Sequence, residues 1–108
     1  MTVVRGLCAG VQYLHCCNPP IVHGDIKPSN VLIDEYGEAV LSDFGFTRIR
    51  HGLTRTGTRS TGLGTLRYLA PEVFSGEVPR ATLATDIYSL ALTIWGLASS
   101  RIAICAPI

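Results

Sequence analysis

Apolar positions first recur at helical spacing. Val3, Val4, Leu7, Cys8, Val11 and Leu14 predict an amphipathic helix over residues 2 to 16. Asn18-Pro19-Pro20 ends it, because proline cannot continue a helix. The period then shortens. Ile21-Val22 reads as a short strand delivering His23, and Val31-Leu32-Ile33 as a second. Asp34-Glu35-Tyr36-Gly37 has turn chemistry, so Ala39-Val40-Leu41 returns as a third strand and brings Asp43 back beside Asn30. Residues 46 to 67 are rich in Gly, Thr and Arg and nearly without apolar periodicity, which predicts a mobile loop and no packed element. A short helical turn is expected after Pro71. Residues 83 to 98 read as a helix with Leu83, Ile87, Leu90, Leu92, Ile94, Trp95 and Leu97 spread around its faces, a helix for a core.

Composition sharpens this picture. The chain has 108 residues, enough for one small domain at most. Hydrophobic residues make up 47% and charged ones 16%, a balance that suits the interior of a larger protein better than a free-standing domain. A formal net charge of +1 gives no argument for nucleic acid or membrane as partner. No basic segment followed by a clean apolar run marks a secretory start, and the uncharged stretch from Ile87 to Ser100 is too short to span a bilayer. Cys8, Cys16, Cys17 and Cys105 include no Cys-x-x-Cys pair, and His15-Cys16-Cys17 lacks a fourth ligand for zinc. Reduced thiols in a cytoplasmic protein are the default expectation.

The chemistry concentrates in two islands, His23-Gly24-Asp25-Ile26-Lys27-Pro28-Ser29-Asn30 and Asp43-Phe44-Gly45. An Asp, a Lys and an Asn cluster at the end of one strand, and a second Asp returns after the hairpin. That layout can hold a divalent metal, a phosphate chain and a hydroxyl nucleophile in one place. Ala70-Pro71-Glu72 follows as a third landmark. With the three in this order, the chain resembles the protein kinase family from about Thr2 to about Leu97. Lys-Pro-Ser-Asn is similar to its Ser/Thr branch.

The resemblance implies roles, and each has a plainer alternative. Asp25 would be the catalytic base for a substrate Ser or Thr hydroxyl, or simply a loop-capping Asp. Lys27 would offset charge on the transferred phosphoryl group of ATP, or be a solvated surface charge. Asn30 and Asp43 would be Mg²⁺ ligands, Asn30 otherwise a loop hydrogen-bonder. Thr65 resembles the Thr that bonds the catalytic Asp and Lys, and Tyr68 would help shape the peptide groove. His23, Phe44, Gly45 and Glu72 are structural by resemblance. Asp86 resembles the anchor of the catalytic-loop backbone, or is an ordinary helix N-cap, or both.

Gly24 stands where many kinases carry an Arg that grips a phosphorylated activation loop, so that switch loses its main partner. No Gly-rich phosphate loop and no Val-Ala-Ile-Lys strand occur. The expected fold is therefore α+β: a partial kinase-like large lobe, mainly helical with short β-hairpins, over residues 1–98, with the small lobe absent and 99–108 an unrelated or disordered tail. The expected function is a Ser/Thr-type kinase fragment, with protein substrates, ATP and Mg²⁺ belonging to the complete parent and little activity of its own. A kinase-derived binding module, or an unstable fragment needing a partner over its apolar surface, are the other readings.

Overall fold

The computed structural model describes residues 2–42, 48–49 and 67–99. Helix α1 spans Thr2–His15. It buries Leu7, Val11 and Leu14, with Val3 packed at the same side. This stripe is narrower than the sequence pattern: Cys8, counted on the apolar face, is exposed. A thiol carries too little apolar surface to fix the helix rotation against Leu and Val.

After α1 the chain passes a cis Asn18–Pro19 bond into β1, Ile21–Val22. The loop that follows closes with a 3-10 turn at Pro28–Asn30, where Pro begins the turn at no cost in donors. Strands β2 (Val31–Ile33) and β3 (Ala39–Leu41) pair antiparallel, Val31 opposite Leu41 and Ile33 opposite Ala39. Their connection is set by Asp34. Its Oδ1 accepts from the Tyr36 and Glu38 amides, each at 2.9 Å, and Gly37 takes φ +80°, where a side chain would be strained.

Residues 46–67 were expected to hold no packed element. Instead Arg48–Ile49 forms β4, antiparallel to β1 with Ile49 opposite Ile21. Two residues are too few to show a period, and the partner is remote in sequence. The remainder of that stretch, 46–47 and 50–66, lies outside the described residues, as does the tail from Ser100 on.

Helix α2 (Pro71–Phe74) opens on Pro71 and buries Val73. Helix α3 (Leu83–Ala98) is capped by Thr82: its hydroxyl accepts from the Thr85 amide at 3.2 Å, while the Thr85 hydroxyl accepts from the Thr82 amide at 2.7 Å. The cap is therefore Thr82, and Asp86 lies inside the first turn with its side chain turned elsewhere.

One core holds these pieces. Leu7 and Val11 of α1, Ile26, Val31, Ala39 and Leu41 of the loop and hairpin, and Leu90 of α3 form it, and Ile33, Ile94 and Leu97 pack against it. Burying each large member contributes roughly 1.5–3 kcal/mol. Contact between α1 and β3 is close because residue 6 is Gly. A Cβ there would stand 3.0 Å from the Ala39 carbonyl oxygen and 3.1 Å from its nitrogen. The hairpin thus lies flat on α1, and its open end faces the loop that carries the polar residues.

Candidate active site

The loop from His23 to Asn30 is held at its start by one carboxylate. Asp86, 2% exposed, accepts the His23 amide on Oδ2 at 2.8 Å and the Gly24 amide on Oδ1 at 2.9 Å. Two adjacent amides on two oxygens fix the direction in which the chain leaves β1. Gly24 takes φ +84° there, the left-handed region that suits glycine. The Oδ2 of Asp86 also meets His15 Nε2 at 2.9 Å, so the ends of α1, β1 and α3 share a single carboxylate.

His23 is fully buried and its ring is bonded at both nitrogens. Nδ1 accepts from the Asp25 amide at 3.1 Å, and Nε2 lies 3.0 Å from the Ser42 carbonyl oxygen. A carbonyl only accepts, so Nε2 carries the proton and Nδ1 does not. The ring therefore ties the residue before Asp43 to the loop that carries Asp25. Ser42 reinforces this: its amide donates to the Asn30 carbonyl at 2.8 Å and its hydroxyl to the same oxygen at 3.1 Å. The return of β3 beside Asn30 is thus in place at Ser42. Asp43, Phe44, Gly45 and Thr65 lie outside the described residues.

Asp25 is buried, and Asn30 holds it. Asn30 Nδ2 donates to the Asp25 backbone carbonyl at 2.7 Å and to its Oδ2 at 3.1 Å. Lys27 brings its Nζ to 3.7 Å from the same Oδ2, a charge contact too long for a hydrogen bond. The Lys27 side chain is only 19% exposed, which corrects the plainer reading of a solvated surface charge. Asp25, Lys27 and Asn30 therefore form one cluster around the Asp25 carboxylate, which accepts from Asn30 and faces the Lys27 charge.

The chain re-enters beside this cluster at residue 67. Ser89 of α3 donates its hydroxyl to the Tyr68 carbonyl at 2.5 Å, pinning the segment. Tyr68, Leu69 and Ser89 then line a small cleft with Gly24, Asp25 and Ile26, about 10 Å³, room for roughly one water. Burial pushes the Tyr68 hydroxyl above its usual pKa of 10.0, opposed by the neighbouring Arg67 charge. Glu72 is farther off. Its backbone carbonyl accepts from Val78 at 3.0 Å, and its carboxylate forms no ion pair with a described residue.

Sequence reasoning missed His15, Ser42 and Ser89. Ser42 directly precedes Asp43 and could have been suspected from that position. His15 and Ser89 carry no local signal, since their partners lie far along the chain.

For Mg²⁺, Asn30 offers a fitting donor. Its Nδ2 is committed to Asp25, which leaves the amide oxygen Oδ1, a hard donor of the kind magnesium takes.

Residues 1–106 match the family model described as protein kinase domain. The chain is 41% identical over 102 residues to rat receptor-interacting serine/threonine-protein kinase 3, covering 92% of this chain and 20% of that protein. It is 40% identical over 104 residues to the LRR receptor-like serine/threonine-protein kinase GSO2 of Arabidopsis thaliana, covering 94% and 8%. Mouse serine/threonine-protein kinase TNNI3K is 39% identical over 102 residues, covering 94% and 12%. The chain thus spans at most about a fifth of the length of these curated relatives.

Proposed function

This chain belongs to the protein kinase family, and from that premise we propose that it supplies the catalytic loop of a Ser/Thr-type kinase acting on protein hydroxyls with ATP. The observation that carries this reading is the fixed Asp25 carboxylate, held by Asn30 and flanked by Lys27 on a loop pinned at Asp86.

Asp25 acts as the base. It orients a Ser or Thr hydroxyl and takes its proton as the oxygen bonds to phosphorus, a contribution of about 10²–10⁴-fold in rate. Lys27, already beside that carboxylate, offsets negative charge growing on the transferred group. Tyr68, on the far wall of the same cleft, borders the peptide's path, and the family pattern assigns Thr65 to bond Asp25 and Lys27. Asn30 Oδ1 and the Asp43 carboxylate are the atoms assigned to Mg²⁺, which when bound neutralises phosphate charge. Ala70-Pro71-Glu72 closes the segment. Free, exposed Cys8 and Cys16 support a reducing, cytoplasmic setting. No helix among the described residues is long and apolar enough to cross a membrane.

These 108 residues contain no Gly-rich loop or lysine strand to anchor a nucleotide, so by themselves they are expected to be inactive. The complete parent protein is expected to phosphorylate a Ser-containing peptide with Mg-ATP. There, Asp25→Asn should lower transfer at least about 10²-fold while leaving thermal unfolding in place. Near-normal turnover in that variant would overturn the assignment of the base. A second reading, a docking module, draws on the apolar outer face of α3, where Ile87 and Trp95 are exposed. A partner covering that face would account for it without any chemistry.

A further inference from the structure

Cys16 and Cys17 follow α1 directly, before the chain enters β1. Both thiols are free, Cys16 exposed and Cys17 half-buried. The Cys16 amide donates to the Gln12 carbonyl at 2.9 Å and the Cys17 amide to the Leu14 carbonyl at 3.3 Å, so the last turn of the helix holds both residues. The Cys17 thiol, a weak donor, reaches the Tyr13 carbonyl at 3.2 Å.

Adjacent thiols can join directly or share a third atom, and backbone geometry decides between the two. A disulfide holds its Cα atoms roughly 4.4–6.8 Å apart. Neighbouring residues stand about 3.8 Å apart across a trans peptide. A direct S–S bond in this pair is therefore strained, and an atom inserted between the sulfurs relieves the strain by lengthening their span. That atom must be soft, since thiolates select soft partners. It must also be satisfied with two protein ligands. The neighbouring His15 ring is turned to Asp86, with Nε2 at 2.9 Å. Among the described residues, no three His, Cys, Asp or Glu side chains are grouped to hold a metal ion. Zinc, with four ligands in its structural sites, does not fit. Trivalent arsenic does, because it forms three bonds: two to sulfur and one to an aryl, alkyl or hydroxide group.

We propose that Cys16 and Cys17 form a dithiol binding site for trivalent arsenicals. With an aryl arsenic oxide, two As–S bonds form and the arsenic–oxygen bond breaks. Both thiol protons leave with the oxygen as one water, and arsenic keeps its oxidation state. The weak Cys17–Tyr13 bond is the contact given up. Cys8 cannot join the chelate, because two turns of α1 set it about 12 Å from Cys16 along the axis. The site is independent of the reading of Asp25 as a base.

Phenylarsine oxide added to the reduced full chain tests this, with intact-mass spectrometry as the readout. The measured quantity is the glutathione concentration that strips half of the adduct. Cys8→Ser with Cys105→Ser keeps the pair and should leave that concentration unchanged, with one adduct per chain that dimercaptopropanol removes. In the same background, adding Cys16→Ser or Cys17→Ser leaves one thiol. Either should lower the concentration at least about 10²-fold, the advantage of two linked attachments over one. No adduct on the unaltered chain overturns the proposal, as does a background variant that loses its retention, which would place the arsenic elsewhere. Equal retention with one thiol and with two overturns it as well. Retention depends on thiols and is read as a mass, so a variant that unfolds still gives an answer.

Discussion

Helix α3 has two faces with opposite characters. The inner face carries Asp86 and Thr93, polar groups nearly or fully out of water, each bonded to protein. The outer face carries Ile87, Tyr88 and Trp95, exposed by 52%, 39% and 59%. Ordinary globular helices put these residue types the other way round. The inner side tolerates burial because each polar atom finds a fixed partner: Asp86 on the loop amides and His15, Thr93 on the Ser89 carbonyl at 2.8 Å. The outer side has a sheltered surface's composition but stands open among the described residues. Placement of the site comes from the first face, and any need for further covering comes from the second.

The sharpest way to break this contrast is at Asp86. Asp86→Asn keeps shape and volume but turns one acceptor into an N–H facing donors. It weakens three bonds and sets a buried donor against another, which should cost about 3 kcal/mol. Urea unfolding should show the midpoint falling with little change in slope. A surface control, Glu38→Gln, should shift stability by less than about 0.5 kcal/mol. Equal effects from the two would mean that the Asp86 carboxylate does not hold the loop.

A smaller effect separates two glycines of α1. At Gly6 a Cβ would press against the Ala39 backbone at 3.0 Å, while at Gly10 it would meet the Leu41 side chain, Cδ1 at 3.6 Å and Cγ at 3.9 Å, ordinary contacts. Replacement of Gly by Ala inside a helix gains up to about 1 kcal/mol by propensity alone. Gly10→Ala should keep most of that gain and fill part of the apolar groove, about 260 Å³, between α1 and β3. Gly6→Ala should lose it to overpacking, typically about 1–3 kcal/mol, because backbone yields less readily than a side-chain tip. Thermal unfolding of the pair should therefore move in opposite directions. The same direction in both would show that the hairpin can lift from α1, and that the site does not depend on its close seating.

Much of this architecture was legible in the sequence, and what was not shares one cause. Leu83–Ala98 could be read to its ends because an apolar run begins just after Thr82 and stops at Ser99-Ser100. The hairpin was legible from Asp34 to Gly37, where turn chemistry is local. The family's order of motifs also placed Asp25, Lys27 and Asn30 near one another, and the side-chain contacts bring those three together. Arg48–Ile49 was missed because a two-residue strand exists only through its partner. Thr82 was passed over as cap in favour of Asp86, since both suit a helix start. The anchoring role that the resemblance also offered for Asp86 is the one its bonds match, to the His23 and Gly24 amides, while its contact with His15 had no counterpart in the sequence reading. Long-range polar pairs leave no period and no spacing rule, so His15 with Asp86, 71 positions apart, could not be found by either.

The last prediction concerns the outer face and should be the mildest in stability. Ile87→Gln with Trp95→Gln removes apolar surface that is already more than half in water, so the folded state loses little. The sum should be about 1 kcal/mol or less. Association should change far more. Exposed apolar stripes attract each other and bind hydrophobic dyes, so the unaltered chain should scatter light and enhance dye fluorescence on concentration, and the double variant should do both much less. Static light scattering and dye titration at matched concentration measure this directly. A chain that stays monomeric and dye-silent before substitution would show that something among the undescribed residues already shelters α3. A variant as destabilised as Asp86→Asn would show that the outer face contributes to the core after all, and the contrast between the two faces would not stand.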